Sequence, residues 1–113
     1  MCRRLTDDAL KALRTLPCLL KLSLSCCVGI TDTGACHLFD RRRSPALATL
    51  VSLNLSQTGI TDAALRILAR SRALNLRELV VSHCAGITIE GLQLVMAALP
   101  SCDLHNHHGF SGH

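Results

Sequence analysis

One pattern constrains this chain more than any other. Leu19, Leu22, Leu24, Cys27, Ile30, Thr31 and Asp32 spell L-x-x-L-x-L-x-x-C-x-x-I-T-D. The next copy is Leu50, Leu53, Leu55, Thr58, Ile60, Thr61 and Asp62, one residue shorter before the isoleucine. The third is Leu76, Leu79, Val81, Cys84, Ile87 and Thr88, with Ile89 in place of the aspartate. Cys2, Leu5, Thr6 and Asp7 read as the tail of a copy that lacks its leucine strand. Leu99, Cys102, Leu104, His107 and Phe110 read as a last copy that stops three residues later. The isoleucine positions (5, 30, 60, 87 and 110) lie 25, 30, 27 and 23 residues apart. A unit of that length cannot bury its own apolar face and must stack on its neighbours.

The physics of one unit predicts its shape. Alternate leucines in L-x-L point the same way, so a short strand buries one face and displays the other. The Cys or Thr that follows is a small plug beneath a turning backbone. Thr-Asp then precedes a helix and is predicted to accept hydrogen bonds from that helix's free first-turn N–H groups. Apolar residues continue at helical spacing: Leu10, Leu13 and Leu16, then Leu65 and Leu68, then Leu92, Val95 and Leu99. Pro17 and Pro100 stop the helix and return the chain to the next strand. The stretch Cys36 to Leu50 departs from this scheme: it is longer, and Arg41-Arg42-Arg43 precedes Ser44-Pro45. It predicts a shorter helix and a solvated loop.

Composition agrees and excludes other classes. The chain is 49% hydrophobic and 18% charged, too apolar for disorder. Its apolar mass is leucine, and its only aromatics are Phe39 and Phe110. A net charge of +4, partly in one arginine run, is not the broad basic face of a nucleic-acid binder. No apolar run approaches the length of a membrane span, and Leu16 to Leu24 is broken by Lys21. Seven cysteines, an odd number, suit a reducing cytosol or nucleus.

These repeats resemble the cysteine-containing class of leucine-rich repeats: Ile-Thr-Asp recurs, with cysteine three residues before the isoleucine in most copies. The resemblance covers nearly the whole chain. That class is familiar from F-box/LRR proteins, the substrate receptors of Skp1–cullin–F-box ubiquitin ligases. It also occurs in F-box-free relatives similar to antagonist of mitotic exit network proteins. The resemblance implies an α/β leucine-rich-repeat solenoid, a right-handed βα superhelix with a parallel sheet on its concave face. The chain reads as a single domain truncated at both ends: a repeat tail over 1–18, repeats over 19–49, 50–75 and 76–98, and a partial repeat over 99–113. It holds no F-box, so Skp1 and cullin would be reached only through a longer parent.

Solenoids bind with the side chains between the buried leucines. Those positions are Lys21, Ser23 and Ser25; Ser52, Asn54 and Ser56; Glu78, Val80 and Ser82; and Ser101, Asp103 and His105. Stacked in that order they predict one column of mixed charge, one mixed polar and apolar, and one nearly all serine. The partner is a protein, with no nucleic acid and no membrane.

No constellation in the chain points to catalysis, and no cofactor is called for. Cys102, His105, His107, His108 and His113 offer zinc-ligand chemistry. Yet Cys102 and His107 fall on repeat positions, so a frayed last repeat accounts for them. Cys26-Cys27 reads as two structural thiols, and His83-Cys84 as neighbours whose side chains point apart. With uncapped ends, Leu10, Leu13, Leu104 and Phe110 are expected to face solvent, which predicts a marginal or self-associating chain.

Overall fold

A computed structural model describes residues 6–16, 18–40, 42–71, 73 and 75–106. The elements run α1 (Asp7–Leu13), β1 (Lys21–Ser23), α2 (Asp32–Leu38), α3 (Pro45–Thr49), β2 (Ser52–Asn54), α4 (Asp62–Ser71), β3 (Glu78–Val80), α5 (Ile89–Ala98) and β4 (Asp103–His105). The four strands form one parallel sheet in chain order, β1-β2-β3-β4. Each three-residue strand is too short to stand alone. The pairing continues beyond it: Leu24 N–H donates to the Asn54 carbonyl and Leu55 N–H to that of Val80.

The leucines do what their alternation predicts. Leu53 and Leu79 stand side by side between Leu22 and Leu104, and both are fully buried. Leu65, Leu68 and Val95 meet them from the helices. Cys27, Thr58 and Cys84 fill the turn, all buried. Thr58 Oγ1 and Cys84 Sγ both donate to the Leu55 carbonyl, at 2.8 and 3.2 Å. The hydroxyl closes its own turn, while the thiol ties its unit to the preceding one. The residue before each plug, Cys26, Gln57 or His83, has φ near +60° (67°, 57° and 59°). Non-glycine residues seldom accept that conformation. Here it is held by backbone pairing, as Cys26 N–H meets the Ser56 carbonyl and Gln57 N–H that of Ser82.

The Thr-Asp pair does more than cap a helix. Thr31 and Thr61 cap α2 and α4 as predicted, accepting from Thr33 N–H and Ala63 N–H. The aspartates, however, reach into the next unit. Asp7 takes the Thr31 N–H at 2.7 Å and its hydroxyl at 2.5 Å. Asp32 does the same to Thr61 (2.7 and 2.5 Å) and Asp62 to Thr88 (2.8 and 2.5 Å). These are charge-assisted bonds between successive units. Glycine admits the carboxylate at two rungs: a Cβ on Gly34 or Gly91 would lie 2.3 or 2.1 Å from the Asp7 or Asp62 Oδ1. At Ile89 the series stops.

Three expectations are corrected. Ser44-Pro45 does not lie in a solvated loop: Ser44 is 2% exposed and caps α3, accepting from Leu47 N–H, with Pro45 at the first helical position. Leu10 does not face solvent either. It is completely buried, because α1 packs on α2. Leu13 and Leu104 are half-buried, and the exposed large apolar side chains are Leu16, Leu20, Val28, Ile89, Leu94 and Met96. Finally, the last repeat is framed two residues later than expected. Leu104, not Cys102, stands beside Leu79. Only residues 99–102 separate α5 from β4, against 72–77 between α4 and β3. Cys2, Leu5, Pro17, Arg41, His107, His108, Phe110 and His113 lie outside the described residues.

Candidate functional site: the open face of the sheet

Helices cover the leucine face of the sheet and leave the other face open. Strand register sets two rows across it. One row is Lys21, Ser52, Glu78 and Asp103; the other is Ser23, Asn54, Val80 and His105. The two-residue shift in the last repeat therefore changes the columns. Asp103 joins Glu78 rather than Val80, and His105 joins Val80 rather than Ser82. Ser101 precedes the strand. The first row runs from a lysine at one edge to two carboxylates at the other.

Contacts within the rows preorganise it. Ser52 Oγ and Glu78 Oε1 are 2.8 Å apart, with the hydroxyl donating. His105 Nε2 lies 3.7 Å from Glu78 Oε2, so protonation of the ring would turn this contact into an ion pair. Asn54 Oδ1 accepts the Ser56 N–H at 2.9 Å, which fixes the amide at the head of its strand. Lys21, Ser23, Glu78 and Asp103 are exposed, and Ser52, Asn54, Val80 and His105 half-buried.

The serine column is different. Ser25 is half-buried, but Ser56 and Ser82 are buried, so they offer a partner little surface. Ser56 Oγ accepts the Ser82 N–H at 3.2 Å. Small hydroxyl side chains recur here because the chain is turning into the left-handed residue that follows and needs local acceptors.

Among the described thiols Cys18 and Cys36 are exposed, Cys26 and Cys102 half-buried, and Cys27 and Cys84 buried. Cys84 is fully buried while its neighbour His83 is exposed, so the two do not meet. Cys26 Sγ donates to Gln57 Oε1 at 2.7 Å. Burial, reinforced by Asp103 and then Glu78 against the pull of Arg77, pushes the Cys102 thiol above its ordinary value. It is uncharged at neutral pH, a poor nucleophile and a poor metal ligand. Among the described residues no group of three His, Cys, Asp or Glu side chains could hold a metal ion. No helix among them is long and apolar enough to cross a membrane.

Sequence reasoning missed the inter-unit aspartates and a set of arginine-flanked grooves on the helical side. The first were legible in principle: an aspartate and a threonine at fixed positions in every unit are neighbours once units stack. The second depends on helix orientation, which the leucine pattern does not specify.

A search of curated proteins found no match to the chain. The family model described as leucine-rich repeat matches residues 15–35, 46–69 and 73–96. Those segments each hold one strand of the sheet and at least part of the helix that follows it. Together with the four-stranded parallel sheet they settle the assignment: the chain belongs to the leucine-rich-repeat family, a typically non-enzymatic class whose repeats generally mediate protein–protein interaction.

Proposed function

We propose that this chain receives a protein partner on the open face of the sheet, and that it does so as part of an F-box/LRR substrate receptor of an SCF-type ubiquitin ligase. Lys21, Ser23, Ser25, Ser52, Asn54, Glu78, Val80, Asp103 and His105 are its contact residues. The charge split along one row carries this reading: Lys21 at one edge, Glu78 and Asp103 at the other. Such a row orients a bound segment, with basic side chains toward β4 and acidic ones toward β1. Ser52, Asn54 and Ser23 add small polar contacts between those ends. The recurring Ile-Thr-Asp after a buried Cys or Thr supports the ligase assignment through its resemblance to F-box/LRR repeats.

The test is affinity purification of the endogenous protein, tagged at its own locus so that any longer parent is captured, with mass spectrometry, run in parallel on a Glu78→Lys/Asp103→Lys variant. Skp1 and a cullin among the companions support the ligase assignment. A further companion present with the native protein and lost from the variant supports the open face. Retention of every companion by the variant overturns that face as the recognition surface. Companions without Skp1 or cullin would make the protein an F-box-free adaptor.

A further inference from the structure

The helical side carries a cluster of positive charge, where the sheet rows hold a single lysine, Lys21. Arg66 and Arg70 sit one turn apart on α4, both exposed. Arg42 lies across from them in the α2–α3 connection, also exposed. No carboxylate lies within ion-pair distance of any of the three among the described residues, where the only such contact is His105 with Glu78. Two acids are close in the chain but differently engaged. Asp40 lines the same surface and turns its Oδ1 to the Arg42 backbone N–H at 3.1 Å. Asp62 holds Thr88.

Two grooves run between these arginines. One, of about 280 Å³, has Phe39 and Ile67 in its floor and Asp40, Arg42 and Arg70 at its rim. The other, of about 310 Å³, is formed by Ala69 and Leu94 between Arg66 and Arg70. Arg70 borders both. Each groove therefore places apolar side chains beside guanidinium groups: buried Phe39 and half-buried Ile67 in one, half-buried Ala69 and exposed Leu94 in the other.

We infer that this helical face is a second docking surface, for an acidic peptide segment that carries apolar side chains. Guanidinium groups take carboxylates bidentately, and unpaired ones have no internal contact to lose on binding. Ile67 and Leu94, the accessible apolar side chains of the two grooves, meet those of the segment. A nucleic acid fits less well, because base stacking needs exposed aromatic rings and Phe39 is buried. A lipid surface fits less well too, since an interfacial helix needs a broad exposed apolar face and α4 exposes arginines but no large apolar side chain.

The probe is a fluorescein-labelled synthetic peptide of about twelve residues, Asp and Glu with two leucines, read by fluorescence anisotropy against the full chain. Saturable binding is expected, weakened about tenfold or more by Arg66→Glu/Arg70→Glu and by severalfold between about 50 and 300 mM salt. A leucine-free acidic peptide is expected to bind several times more weakly, and Lys11→Glu, an exposed charge reversal on α1 outside both grooves, to leave affinity unchanged. Arg66→Ala/Arg70→Ala, with helicity checked by circular dichroism, separates lost contact from lost fold. The inference is overturned by no saturable binding, by equal binding to the arginine variants, or by equal affinity for the leucine-free peptide. Loss of binding in Lys11→Glu overturns it as well. So does tighter binding to single-stranded RNA or to phosphatidylserine vesicles than to the peptide.

Discussion

The sheet side and the helical side of this molecule follow different rules. Along the sheet, position n of one unit stands beside position n of the next, from Leu22 through Leu53 and Leu79 to Leu104. Backbone pairing enforces that equality, so a residue is constrained by its neighbours above and below. On the helical side each unit finds its own solution. The unit that begins at β1 uses two short helices, seven and five residues long, where α4 and α5 have ten each. The contrast teaches where variation is tolerated: helices need only bring leucines to the shared core, and their outer faces are free to carry charge. The same division separates the two surfaces, an ordered polar row on one side and arginine-flanked grooves on the other.

The largest effect that tests this contrast is expected from the sheet core. Leu53→Ala removes a fully buried side chain from the middle of the leucine row. It should cost about 2–5 kcal/mol, read as a fall in the urea midpoint with the slope unchanged. Leu94→Ala, on the outer side of α5 and partly exposed, should cost well under half of that in the same measurement. Equal losses would break the comparison.

Next in size is the central aspartate. Asp32→Ala deletes the acceptor of two short bonds to Thr61. Its loss is expected to destabilise by about 2 kcal/mol, less than the sum of two charged hydrogen bonds because both groups are partly open to water. Asp7→Ala removes the corresponding bonds to Thr31 at a more exposed rung and should cost less. The helical side then contributes a smaller term. Ser44→Ala removes the cap of α3 and is expected to cost about 1 kcal/mol, since the Leu47 N–H loses its acceptor in a buried place. Ser44→Asp should recover part of it.

Much of this was legible from residues alone. The strands, the buried Cys or Thr plug and the parallel order follow from a period-two leucine pattern repeated at a fixed interval. So does the identity of the open-face positions in the first three strands. The last strand was displaced by two residues because leucines at 99 and 104 fit the pattern in two frames, and only the length of the connection after α5 decides between them. At Ser44-Pro45 the charge of the preceding arginines suggests a loop, although a serine followed by proline and then apolar residues is also a helix start. The aspartate-to-threonine bonds join residues 24 to 29 apart, so no local pattern shows them.

The smallest expected effect is the most informative about the ends of the stack. Ile89 occupies the place held by Asp32 and Asp62 in the preceding units, and it is exposed. In those units the carboxylate is useful because a threonine of the following unit presents both an N–H and a hydroxyl to it. Among the described residues nothing follows Ile89 in that role. Because Ile89 is an exposed surface position, Ile89→Asp should change stability by less than about 0.5 kcal/mol, the ordinary range for a surface substitution. Any gain would come from a negative charge in the first turn of α5 and should fade with salt, in contrast to the losses at Asp32 and Asp7. A gain as large as the Asp32→Ala loss would mean that the carboxylate acts on its own helix, and that the bonds between units are incidental to it.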